Sequence, residues 1–466
     1  MINGRALGWT NLSFVALGCV LLVLYRLGLH AKGSESILWF IKLALAQGII
    51  YLVATYLILR ARPARSTLFL IILFAALFRL SILFAPPYLS SDIYRYVWDG
   101  RVQAAGINPY RYIPADEPLA GLRDEEIYSQ INRRDYAHTI YPPGAQIIYF
   151  LATRASESVT WMKAFMIGFE ALTLYALIQL LASFNLPVQR VLLYAWHPLV
   201  VWEFAGSGHV DAAMIAFIAL ALLARRRNSE VGTGLALAGA TLIKYYPVIL
   251  FPALYRRWSW KMPVAFVLTI VLAYLPYLSA GLKVLGFLPN YTEEEGLQNG
   301  TRFYLLNLAR RAFGEAKVPN AAFIIFALLI MAAVAVWSLR GREKSDKSYV
   351  ARAFVLASAF TLLLSPRYSW YFAWLVPFLC LMPLAPFLLL TTAHFVLYAL
   401  WIEDTASTGF TLNTFVFLPF AIVSMIALWK RRAAKRRKDK RDEVAGSLEE
   451  GTSQAKFEEL PKHDTG

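Results

Sequence analysis

LFLIILFAALFRLSILFA (residues 68–85), followed at once by PPYLSSDIYRYVWDGRVQAAGINPYRY (86–112), decides how this chain folds. The first half is apolar over roughly the ~20 residues that a helix needs to cross a bilayer. Its one charge, Arg79, lies near the outer end, where its head is expected to snorkel toward water. The second half turns charged and aromatic within a few residues. Ser90-Ser91-Asp92 reads as a helix start, because short polar side chains satisfy the free N–H groups of a first turn. Helical spacing then places Asp92, Arg95 and Asp99 on one face, with Tyr94, Trp98 and Arg101 on the neighbouring face. Two readings stand at this point. Asp92 is a helix cap and Arg95–Asp99 an ordinary pair worth a few tenths of a kcal/mol, or Asp92 is an acidic group held outside a span for lipid-linked chemistry.

Working outward, the whole chain has the same character. Its 466 residues are 58% hydrophobic, with a mean hydropathy of +0.50, which few soluble domains approach. The net charge of +16 sits mainly in short clusters between apolar runs and near the C-terminus, as cytoplasmic loops of membrane proteins require. That pattern excludes a nucleic-acid-binding face. Cys19 and Cys380 both fall in apolar runs and offer neither a disulfide framework nor metal spacing. The first hydrophobic stretch lacks a strongly basic start and a cleavage site, so it reads as a retained span.

The expected spans begin at about 7–29 and 37–59, with Arg60, Arg62 and Arg65 as a cytoplasmic knot. Residues 66–85 lead outward, and 86–143 form an outer loop of short surface helices ending at Tyr141-Pro142-Pro143-Gly144, a strong breaker. Residues 144–153 are too short to cross. Spans follow at 161–182, with Glu170 inside it, at 190–205 and at 212–224, which meets Arg225-Arg226-Arg227. The stretch 232–254 lies between two basic clusters and is broken at Lys244-Tyr245-Tyr246-Pro247. It reads either as a re-entrant pair of half-helices, tolerated where buried in protein, or as one kinked span. Further spans are expected at 262–279, 318–339, 349–364, 370–382, 385–401 and 412–429. The fold class is therefore an all-α polytopic membrane protein of about twelve transmembrane helices plus the re-entrant pair. Residues 1–430 form the membrane domain, and 431–466 a cytoplasmic, basic and polar, disordered tail.

Several polar residues have no role in membrane placement. Lys244 and the adjacent Tyr245 sit between the two half-helices, where Lys244 reaches a phosphate, snorkels, or pairs with Glu170. His209 and Asp211, after Gly206-Ser207-Gly208, either bind a sugar and orient Asp92 or form a helix cap with a solvated histidine. Arg367, beside Tyr368, either binds a phosphate with its guanidinium fork or anchors the interface; Arg302 is a weaker candidate of the same kind. The expected topology brings Asp92, His209, Asp211 and Arg367 to one face.

SDIYRYVWDGRVQAAGINPY resembles the first outer-loop motif of GT-C-type integral membrane glycosyltransferases, and among them the bacterial polyprenyl-phosphate-mannose-dependent α-mannosyltransferases. The matching residues are Asp92-Ile93-Tyr94, Gly100 and Gly106-Ile107-Asn108-Pro109-Tyr110. GSGHVDAAM, LIKYYPVILFPAL and SPRYSWYFAWLVPF also look like recurring pieces of such enzymes, so the resemblance covers about residues 66–400. It implies Asp92 as general base on an acceptor hydroxyl. It also implies His209, Asp211, Lys244 and Arg367 as contributors to donor or acceptor binding, and Tyr94, Arg95, Asp99, Tyr245 and Tyr368 join them as candidate binding residues. The expected partners are a polyprenyl-phosphate sugar donor, a glycan or lipid acceptor, and membrane lipids. No cofactor is expected. Ser90-Ser91-Asp92-Ile93-Tyr94 stands where an Asp-x-Asp would mark a metal site, which leaves a divalent metal open. The resemblance puts the protein in the plasma or inner membrane with its active site outside. Two rivals are a non-catalytic flippase or assembly protein of the same fold and a secondary transporter; the latter lacks any visible repeat.

Overall fold

The chain's apolar runs become helices because a backbone in hydrocarbon must bond to itself. The computed structural model describes residues 2–29, 34–61, 64–294, 296, 300–341 and 347–458, and among them there is no strand. Arg62, Glu295 and the end of the tail lie outside the described residues. Seven helical stretches among those described are long and apolar enough to cross a bilayer. They include α1 (Ile2–Gly28), α2 (Ser34–Arg60), α3 (Arg65–Leu83) and, after two shorter helices, α6 (Val159–Ser183). The other three are Lys261–Leu285, Asn320–Arg340 and Ala406–Arg437. Only 11% of the Asn320–Arg340 stretch is buried inside the protein, and Leu328 and Leu329 stand open. Such a surface is a liability in water and an ordinary lipid-facing one in a membrane. The chain is an all-α polytopic membrane protein.

The remaining five expected crossings are shorter or broken. Residues 188–206 form no continuous span: a 3-10 turn and a helical turn end at Trp196, and π-helical backbone fills Val201–Gly206. Pro198 forces the break, since it has no N–H and holds His197 extended at ψ 120°. The His197 ring takes up the freed Leu199 N–H at 3.2 Å. Irregular backbone survives here because it is enclosed by protein.

Arg79 and Glu170 pair inside the bundle. Arg79 does not snorkel: it is buried and meets Glu170 of α6 at 2.6 Å, donating also to the carbonyls of Ala75 and Ala195. The guanidinium finds full satisfaction nearer than water. This pairing also removes Glu170 as a partner for Lys244.

The stretch left open as re-entrant or spanning turns back on itself, the path a re-entrant pair takes. Helix Glu230–Ile243 rises ~21 Å at 1.5 Å per residue. A 3-10 turn and Phe251–Leu254 bring the chain back. Its two ends meet, with the Arg256 guanidinium on the Asn228 amide and Arg225 Nε donating to the Leu254 carbonyl at 3.0 Å.

The outer segment is built on α4 (Asp92–Ala104) and α5 (Pro143–Thr153), which pack together. Gly100 allows it: a Cβ there would lie 2.6 Å from the Tyr149 carbonyl oxygen. Gly144 does the same for α5 against the re-entrant helix, where a Cβ would lie 2.9 Å from the Leu242 carbonyl oxygen. The α3–α4 link is pinned by Lys163 of α6, which donates to the carbonyls of Ile82 (3.2 Å) and Ala85 (2.8 Å). The last helix runs from Ala406 to Glu458 as one element. Its Lys, Arg, Ala and Glu residues are strong helix formers.

Candidate active site

Asp92 is the first residue of α4, and its own N–H is accepted by Ser90 Oγ at 3.2 Å. Its carboxylate is therefore not spent on capping. Oδ1 accepts from Asn132 Nδ2 at 2.9 Å and Oδ2 from the Tyr141 hydroxyl at 3.3 Å. Burial, with the Asp92 charge beside it, pushes the Tyr141 phenol well above its ordinary pKa, so it stays protonated and donates.

The half-buried Asp92 faces a cavity of about 730 Å³. Its wall is assembled from the 87–91 link and start of α4, the segment 130–142, the tip of the re-entrant pair and the segment 364–371. Lys244 ends the re-entrant helix and lies 2.9 Å from Asp211 Oδ2, with its ammonium 4.6 Å from the Tyr371 ring centre. Arg133 and Arg302 also line the space. Burial opposes the Arg133 charge, but the hydrogen-bonded Glu294 carboxylate outweighs it and holds Arg133 firmly protonated. One carboxylate thus looks into a space walled by cations, which suits an anionic ligand. Among the described residues no three of His, Cys, Asp or Glu are grouped as a metal shell.

The structure brings most of the sequence-derived candidates together. Tyr94, Arg95, Lys244, Tyr245 and Tyr368 line the cavity with Asp92. Asp99 does not. It is buried behind Arg95, which it meets at 2.7 Å, and it also accepts from Thr139 Oγ1 and Gln146 Nε2. This is no exposed pair of a few tenths of a kcal/mol, since both side chains are almost wholly withdrawn from water. It ties α4 to the loop and to α5. Asp211 holds Lys244 from below rather than facing the cavity. His209 is not solvated: it is fully buried, stacks on Trp370 at 4.1 Å, and has Glu203 at 3.4 Å. Arg367 turns away to Asp404, while Arg302, the weaker candidate, faces inward.

Sequence reasoning missed Asn132, Arg133, His138, Tyr141 and Tyr371. Tyr141 lay inside the Tyr-Pro-Pro-Gly breaker and Tyr371 inside SPRYSWYFAWLVPF, which carried the only signals; Asn132, Arg133 and His138 sat in no motif.

The site is thus one carboxylate and several cations set round a half-open cavity in a helical membrane bundle, an arrangement that suits group transfer. Residues 15–260, more than half of the chain, match the family described as alpha-(1->6)-mannopyranosyltransferase, N-terminal domain. The chain belongs to that family, and is a GT-C-type membrane glycosyltransferase. The matched region holds Asp92, Asn132, Tyr141, Asp211 and Lys244. Among curated proteins no relative matches the chain.

Proposed function

We propose that the protein moves mannose from a polyprenyl-phosphate donor to the 6-hydroxyl of a mannose-containing glycan or lipid, outside the cytoplasm, with Asp92 as general base. The observation that carries this reading is the Asp92 carboxylate facing the cationic cavity within reach of a hydroxyl donor. The acceptor oxygen attacks C1 of the sugar as its proton passes to Asp92, and the bond from C1 to the phosphate oxygen breaks. The phosphate leaves with the bonding pair. Lys244, Arg302 and Arg133 are the groups that offset its growing charge. Tyr94, Tyr245 and Tyr368 give the sugars aromatic walls, and the apolar Leu288 and Phe287 suit the first prenyl units.

Sidedness is supported by charge. Arg225, Arg226, Arg227, Arg256 and Arg257 cluster at the end of the bundle opposite the tip of the re-entrant pair, as a cytoplasmic face requires.

The reading is tested with purified protein in liposomes, a manno-oligosaccharide acceptor, and either polyprenyl-phosphate mannose or a nucleotide-linked mannose. Transfer from the lipid donor alone, giving a product cleaved by an α-1,6-specific mannosidase, is expected. Transfer from the nucleotide donor alone would overturn it.

A further inference from the structure

Asp92 owes its direction to a residue outside every motif in the chain. The Asn132 amide crosses from the loop before α5 to place Nδ2 2.9 Å from Asp92 Oδ1 and 3.2 Å from Ser91 Oγ. Only the NH₂ side of an amide can face a carboxylate. Its placement is costly: Arg133, the next residue, adopts φ +56°, a conformation unfavourable to a side chain with a Cβ. That turn is held by the Tyr136 and Ala137 N–H groups on the Arg133 carbonyl and by Arg133 itself on Glu294 at 2.8 Å. Backbone strain kept by surrounding bonds is found where a side chain must be aimed.

We infer that Asn132 is a positioning residue, fixing Asp92 Oδ1 so that Oδ2 is the oxygen that receives the acceptor's proton. This rests on the reading of Asp92 as base. A donated hydrogen bond to Oδ1 stabilises the ionised form and makes protonation there unfavourable. Oδ2 has only the longer Tyr141 contact, at 3.3 Å, which a sugar hydroxyl can share or replace. The other titratable groups exerting a field at Asp92 are Tyr96, Tyr149, Arg133, His209 and Lys244. All are retained when Asn132 alone is changed.

The test is the pH profile of transfer by full-length protein in liposomes for Asn132→Ala and for the isosteric Asn132→Asp, with Asn132→Ser in reserve for poor folding. Asn132→Ala is expected to lower kcat by about ten- to a hundred-fold, as misalignment of a reacting group does, with the donor KM nearly unchanged. Its acidic limb should move to higher pH, and further still in Asn132→Asp, where a second carboxylate opposes ionisation. Asn132→Ser, which keeps a donor, should lie between wild type and Ala. An acidic limb that stays at its wild-type position in these variants would overturn the inference, whether or not activity falls. Asp92→Asn separates the two claims: if it is inactive while the Asn132 variants behave as wild type, only the positioning role fails. If Asp92→Asn transfers normally, both fail.

Discussion

His138 shows how a single half-buried side chain in the cavity wall couples folding to pH. Burial, aided by the charges of Lys283 and Arg95, lowers its pKa below the ordinary 6.5. The folded state thus binds this proton less readily than the unfolded chain. Stability is present above about pH 6.5 and is lost as pH falls through the lower folded value. His138→Gln should therefore lose less thermal stability than wild type between pH 7 and pH 5, as read by melting in detergent. An equal or larger loss would show that His138 is not the group responsible. Asp92 was singled out in the sequence because a carboxylate follows a span directly. Its partner Asn132 was not, because a contact across 40 residues of loop leaves no local period.

The re-entrant pair is the element that carries the cationic side of the site. Its tip holds Lys244 against Asp211, so removing the lysine alone leaves a buried carboxylate unpaired. Lys244→Met should cost about 3–5 kcal/mol, measured as lost thermal stability. Asp211→Leu added to it should restore most of that stability without restoring transfer. A double variant that regains transfer would remove Lys244 from the chemistry. The packing of α5 on this helix tolerates no side chain at Gly144, and Gly144→Ala should destabilise by about 1–3 kcal/mol. A wild-type melting temperature would show that the contact yields. The sequence marked this element through two basic clusters on either side of a Lys-Tyr-Tyr-Pro break. It could not decide between turning back and crossing, since that depends on where Arg256 lands, and Arg256 lands on Asn228.

Over the whole molecule, hydropathy was sufficient for the helices and insufficient for what they enclose. The long lipid-facing helices announced themselves by length and apolarity. The broken backbone of 188–206 did not, because its Pro198 is masked by flanking residues as apolar as any span. Nor did the interior pair of Arg79 and Glu170, whose members lie 91 residues apart. The fold predicts a topology: single cysteines at Asn228 and Arg257 should react with an impermeant thiol reagent from the same side, and one at Glu125 from the opposite side. Labelling of Asn228 and Arg257 from opposite sides would refute the re-entrant path.

The most direct test of the whole account is mannose transfer from radiolabelled polyprenyl-phosphate mannose in membranes carrying wild-type protein or Asp92→Asn at equal folded levels. The account predicts a loss of roughly a hundred- to ten-thousand-fold on removing the general base. Equal transfer by the two proteins would contradict it.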